Sequence, residues 1–192
     1  MEHASWITDI ECIYPTLTYP CHATIATGCW PDRTGINNNE IPDFFAKGRM
    51  DWYWWREAIQ VPTVVDFARQ AGLTASTVTW PVMCASGAEY NIGEIWAPRE
   101  EDDPTPWFTR ANSPAVAKIF EANKHMLRWM KTPQMDEFAA KCAADIIRAH
   151  RPDLMLLHLS YVDHQRHRLG VHGDLEHAFR FIDGQMGLVL DA

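Results

Sequence analysis

The chain has 192 residues and a formal net charge of −8 at neutral pH. It is long enough for one domain with a sizeable core, and too acidic for a nucleic-acid-coating surface, which is normally basic. Apolar residues at 47% and charged residues at 22% are ordinary for a globular protein, and a phosphate substrate stays open because a metal centre reverses the local field.

Residues 6–13 alternate roughly enough for a short strand or an extended entry. Thr18 then stands before Tyr19-Pro20, and proline is favoured in the first helical turn, so Thr18 is the expected N-cap of a helix over 19–27, closed by Gly28. A hydroxyl there sits where unpaired N–H groups and the helix dipole favour an anion such as phosphate. From 29 to 49, Trp30-Pro31-Asp32, Gly35, Asn37 to Asn39 and Ile41-Pro42-Asp43 break regular structure. The cluster Trp52-Tyr53-Trp54-Trp55 reads as aromatic packing under a loop, in preference to a pocket for a flat ligand.

Pro62 opens a helix to Gly72 with Val65, Phe67 and Ala68 as its buried side, and 73–80 is rich in β-formers up to Pro81. Residues 87–109, with the acidic run 100–103, read as a surface loop; no ligand spacing supports a metal there. A helix over 115–130 shows Val116, Ile119, Phe120 and Leu127, and one over 134–150 shows Phe138, Cys142, Ile146 and Ala149. The apolar run 154–159 reads as a central parallel strand covered on both faces, with His158 as a buried, hydrogen-bonded core residue. Asp174 is the expected cap of a last helix with stripe Leu175, Ala178, Phe179, Ile182 and Met186. The order is that of an α/β fold.

Five cysteines without a Cys-x-x-Cys pattern indicate neither a disulfide framework nor a zinc knuckle. Cys142 and Arg148 have the spacing of a tyrosine-phosphatase loop, but they lie in an amphipathic helix lacking the glycines such a loop needs. No stretch approaches the roughly 20 apolar residues of a membrane span. The opening residues lack the basic end and apolar core of a secretory signal.

After the strand at 154–159 comes a polar segment holding Asp163, His164, His167 and His172. Carboxylate and imidazole both ligate zinc, and Asp163 and His167 share one face of a helical turn; a solvent-facing polar loop is the plainer alternative. In open α/β sheets, ligands bind beyond the carboxyl ends of the strands, which is where this segment falls.

Thr18, Tyr19, Pro20, His22, Thr27, Gly28, Trp30, Pro31, Asp32, Gly35, Ile36 and Asn39 fall in step, without a gap, with the nucleophile segment of the type I phosphodiesterase/nucleotide pyrophosphatase family of the alkaline phosphatase superfamily, which the chain resembles. Asp163 and His167 match the Asp and, four residues later, His that follow an apolar strand in that family, both ligands of one zinc. Departures are Cys21 for an asparagine, Val162 for a proline and Arg166 for a glycine.

The resemblance implies an alkaline-phosphatase-like layered α/β fold, with a mostly parallel central sheet and helices on both faces. It implies a metal-dependent phosphoric ester hydrolase acting on a small phosphate ester or nucleotide with two divalent metal ions, zinc in the family. Thr18 would be nucleophile and metal ligand, with Thr16 as the reserve candidate. Asn39 would donate to a nonbridging phosphate oxygen, and Asp163 and His167 would be metal ligands. Phosphomonoesterase and phosphonoacetate hydrolase chemistry of the same superfamily stay open; a sulfatase does not fit, because Cys21-His22-Ala23-Thr24-Ile25 lacks the required Cys/Ser-x-Pro-x-Arg element.

The family's remaining ligands, an earlier strand-end aspartate, an Asp-His pair and a further histidine, find no match in 1–192. The expectation is therefore a partial catalytic domain that binds zinc weakly and turns over little substrate, or an inactive remnant acting as a binding module.

Overall fold

A computed structural model describes residues 7–41, 52–95, 105–127 and 132–192. The sequence readings at Trp6, 42–51, 100–103 and 128–130 lie outside these.

In chain order the helices and strands are α1 (Thr18–Thr27), α2 (Pro31–Thr34), α3 (Val64–Gln70), β1 (Ala75–Val78), β2 (Tyr90–Ile92), α4 (Thr105–Ala111), α5 (Ala117–Asn123), α6 (Gln134–His150), β3 (Leu154–Leu157), α7 (Tyr161–Leu169) and α8 (Glu176–Leu190). The strands form a parallel sheet in the order β2-β1-β3, with Val78 in register with Ile92 on one side and Leu157 on the other. Helices cover both faces. Val65 of α3 packs with Ala75, while Phe138, Cys142 and Ile146 of α6 join Val78 and Ile92 in the larger core. Phe108, Phe120 and Phe138 stack and edge at 5.2–6.2 Å within it, each ring contributing about 2–3 kcal/mol by burial.

The central strand is β1, and all four of its residues are buried. Two are polar, and both are satisfied: Ser76 Oγ donates to the Tyr90 carbonyl at 2.8 Å, and the Thr77 hydroxyl to Asn91 Oδ1. The apolar run 154–159 instead gives an edge strand of the described sheet, half-buried throughout. Hydrophobicity marked β3 as the covered strand, but satisfied hydroxyls let a less apolar strand take the centre.

Other expectations are corrected. Residues 7–13 form no strand. The expected loop 87–109 contains β2 and α4, and 29–41 contains the single turn of α2. The helix expected over 115–130 is 3-10 turns flanking α5, although Val116, Phe120 and Leu127 are buried as read. Phe67 is exposed, because it lies on the far side of α3 from the Val65–Ala68 face. Ala149 is exposed in the last turn of α6, beyond its buried stretch from Met135 to Ile146. At α8 the cap residue Leu175 and Ala178 are buried while Phe179 and Met186 are exposed. Asp174 stands one residue before the helix cap, accepting the Glu176 N–H at 2.9 Å.

Two helix boundaries show why they stop and start where they do. Gly28 ends α1 in the left-handed region (φ 67°), its N–H bonded to the Thr24 carbonyl. Thr63 and Asp66 form a reciprocal capping box at α3, braced by Arg56 at 2.6 Å from Asp66. No described helix is long and apolar enough to cross a membrane.

Candidate active site

The carboxyl ends of the three parallel strands converge. Just past β1, Thr79 N–H bonds to the Ile92 carbonyl and its hydroxyl to the His158 carbonyl, while His158 N–H reaches the Val78 carbonyl. Glu94 follows β2 and His158 follows β3. His158 is thus a residue of the strand-end shelf rather than of the core, and it faces the cleft described below.

Helix α1 docks onto this shelf through Tyr19, which is fully buried. The Tyr19 hydroxyl donates to Glu94 Oε2 at 2.9 Å, and its ring meets Trp52 edge-on at 5.4 Å. Leu17, extended at φ −121°, is the N-cap and supplies no side-chain bond. Thr18 is therefore the first helical residue and not the cap. The capping acceptor comes from Asn39, whose Oδ1 takes the Tyr19 N–H at 2.9 Å. Asn39 is held in turn by the Tyr53 N–H on its carbonyl. This arrangement releases Thr18 from capping. Among the described residues no hydrogen bond engages its hydroxyl, whereas Thr16 Oγ1 is used locally, on the Ile13 carbonyl at 3.0 Å.

His22 lies one turn along α1. Its Nδ1 is 2.7 Å from the Thr18 carbonyl, an acceptor only, so Nδ1 carries the proton. The ring meets those of His158 at 4.5 Å and Trp80 at 5.0 Å. Burial, then the neighbouring His158, push the His22 pKa down. For His158 burial also favours the neutral ring, but the Glu94 hydrogen bond (Nδ1 to Oε1 3.5 Å) and the charges of Glu94 and Asp136 outweigh it and raise the pKa. The two neighbouring rings are thus shifted in opposite directions.

The opposite side of the cleft is α7. Its start is capped from α6: the buried Asp136 carboxylate accepts the N–H groups of Ser160 and Tyr161. Asp163 and His167 stand one turn apart with Oδ2 and Nε2 3.5 Å from each other, at 68% and 80% side-chain exposure. Arg166 reaches forward to the Gly170 and Val171 carbonyls past the helix end. Of the two readings of this segment, the helical turn is the one the structure takes, as a regular helix as far as Leu169.

Thr18, Asn39, His22, His158, Asp163 and His167 line one cleft of about 660 Å³. Trp52 lines it too, so the tryptophan cluster is divided, with Trp54 in the core and Trp52 serving both core and cleft. The oxygen and nitrogen of Asp163 and His167 suit zinc in kind and spacing. Among the described residues no group of three His, Cys, Asp or Glu stands together to hold an ion. The pair fits half of a tetrahedral site.

Glu94 and Asp136 are the residues that sequence reasoning missed. Glu94 lay in a segment read as loop, and its only signal was the β-former pair in Tyr90-Asn91-Ile92 just before it. Asp136 looked like an ordinary first-turn acid of α6.

The family model for type I phosphodiesterase/nucleotide pyrophosphatase matches residues 1–192. Venom phosphodiesterase 2 of Crotalus adamanteus is 26% identical over 200 residues, which cover 98% of this chain and 20% of the relative. The chain therefore spans about a fifth of the length of such curated relatives. Human ectonucleotide pyrophosphatase/phosphodiesterase 5 superposes with a TM-score of 0.56 at 17% identity, over 94% of this chain and 41% of that one. Phosphonoacetate hydrolase from Sinorhizobium meliloti, in complex with phosphonoacetate, superposes at 0.51 and 19% identity, over 80% and 37%. These likenesses carry the alkaline-phosphatase-like α/β fold. By its sequence match, the chain belongs to the type I phosphodiesterase/nucleotide pyrophosphatase family.

Proposed function

We propose that the chain carries the nucleophile half of a phosphoric ester hydrolase site acting on small phosphodiesters or nucleotides, with Thr18 as the nucleophile. The observation that carries this is the Thr18 hydroxyl, unengaged among the described residues at the N-terminus of a ten-residue helix and lining the same cleft as Asp163 and His167. The α1 dipole favours a phosphate there. Asn39 spends its side-chain Oδ1 on the Tyr19 N–H, which leaves its side-chain N–H₂ as donor to a nonbridging phosphate oxygen.

Thr18 Oγ attacks phosphorus in line while the bond to the leaving alkoxide breaks, and the hydroxyl proton ends, through solvent, on that alkoxide. Water then hydrolyses the phosphothreonine and regenerates the hydroxyl. Asp163 and His167 would hold one of two divalent ions, and Thr18 would ligate the other. Bound zinc would supply Lewis-acid charge that lowers the hydroxyl pKa. The Glu94–Tyr19 bond and the His22 contact keep the first turn of α1 in place while this happens.

The test is hydrolysis of bis(p-nitrophenyl) phosphate with zinc by the protein and its Thr18→Ala and Thr16→Ala variants. Loss of turnover to background in Thr18→Ala alone is expected; equal rates in Thr18→Ala and wild type would overturn the assignment. Rates on the mono-p-nitrophenyl ester separate diesterase from monoesterase specificity.

A further inference from the structure

Outside the hydrolytic groups, one pair of reactive side chains meets at the lip of the cleft. Cys12, on the exposed entry segment, and Cys21, on α1 and lining the cleft, have their sulfurs 3.5 Å apart. Each is a free thiol, and the other three cysteines lie elsewhere, two of them buried in the core.

We propose that Cys12 and Cys21 are an oxidation site that closes to a disulfide, tethering the entry segment to α1 in a ring that contains Thr16, Leu17 and Thr18. Several observations support this. The two sulfurs already touch, and residues 7–12 are exposed, so a small shift of Cys12 reaches the bond length of about 2.05 Å. Access is unequal, which orders the steps. Cys12 is exposed and meets the oxidant first. Cys21 is half-buried beside it, placed to attack Cys12 Sγ in a second step.

With a disulfide oxidant such as oxidised glutathione, the Cys12 thiolate attacks one sulfur and releases one glutathione thiol. Cys21 then attacks Cys12 Sγ in the mixed disulfide and releases the second. Two protein thiols are oxidised, one glutathione disulfide is reduced to two thiols, and the two cysteine protons end on the leaving thiolates. The product is a covalent brace on the loop leading into α1. This step goes beyond the hydrolase proposal and does not depend on it, because it is read without substrate.

The experiment treats reduced, desalted protein with oxidised glutathione and counts thiols after denaturation. Thiols should fall from five to three, with no retained glutathione mass. Chymotrypsin is the useful protease because it cuts after Leu17, whereas no Lys or Arg separates Cys12 from Cys21. It should release a Cys12–Cys21 cross-linked pair that separates on reduction. Cys29→Ser should leave the cross-link intact, and Cys12→Ser, on the exposed segment, should abolish it. A persistent glutathione adduct on Cys12 with Cys21 still open to alkylation would overturn the proposal, as would a cross-link to Cys29.

Discussion

On one side of the cleft, Thr18 rides on a helix end fixed by the buried Tyr19–Glu94 hydrogen bond, the Asn39 cap and the His22–His158 contact. On the other side, Asp163 and His167 project from α7 with little besides each other, more than two-thirds exposed. The helices themselves are equally regular; what differs is how their functional side chains are held. On the proposed reading, the group that would attack phosphorus is pre-set by buried polar bonds. Groups that would chelate an ion are left open, since ligands can be drawn into place by the ion they bind.

The contrast predicts graded losses. The largest is at Glu94→Leu, which removes the buried Tyr19–Glu94 hydrogen bond and the carboxylate facing His158. Unfolding by denaturant should show a loss of about 3 kcal/mol. Asp136→Ala strips the acceptor from two N–H groups at the start of α7 and should cost about 2 kcal/mol. If both variants unfold at the wild-type midpoint, the buried polar bonds do not hold the site. Asp163→Ala, His167→Ala and Thr18→Ala should each change zinc-free stability by less than about 0.5 kcal/mol. In calorimetric titration, the first two should nevertheless weaken zinc binding. A large stability loss in either would mean that α7 is as tightly braced as α1.

The histidine pair makes the stability of the buried side of the cleft depend on pH. The His158 pKa is raised above 6.5, so its contribution is complete below that value and is lost as pH rises through the raised pKa. The His22 pKa is lowered below 6.5, so its contribution is present above that value and is lost as pH falls through the lowered pKa. Together they place a stability maximum near pH 6.5 in zinc-free protein. His158→Asn should flatten the alkaline limb and His22→Asn the acid limb, as read from thermal unfolding across pH 5–8. Unchanged limbs in both variants would contradict the assignment.

Much of this side of the molecule was legible in the sequence. Gly28 ended α1 as its conformational freedom suggests, α6 ran over the expected residues, and the motif positions Thr18, Asn39, Asp163 and His167 line one cleft. Periodicity located those elements because each is governed by local hydrogen bonding and one apolar face. The errors came where long-range bonds decided the outcome. Asn39 took the cap expected of Thr18, satisfied hydroxyls let β1 displace β3 from the centre, and Asn91 bonded Thr77 and the Ala111 carbonyl to fix β2 within a presumed loop. Glu94 belongs to this class too, since its partner Tyr19 is far away in sequence.

The central claim is that Thr18 is the atom donor to phosphorus, and it is tested most directly by trapping the covalent species. Protein incubated with zinc and bis(p-nitrophenyl) phosphate is quenched in acid and its peptides are mapped by mass. A p-nitrophenyl phosphate adduct on Thr18, absent in Thr18→Ala, is the predicted result. An adduct on Thr16 or on any other residue, or p-nitrophenol release that persists in Thr18→Ala, would contradict it.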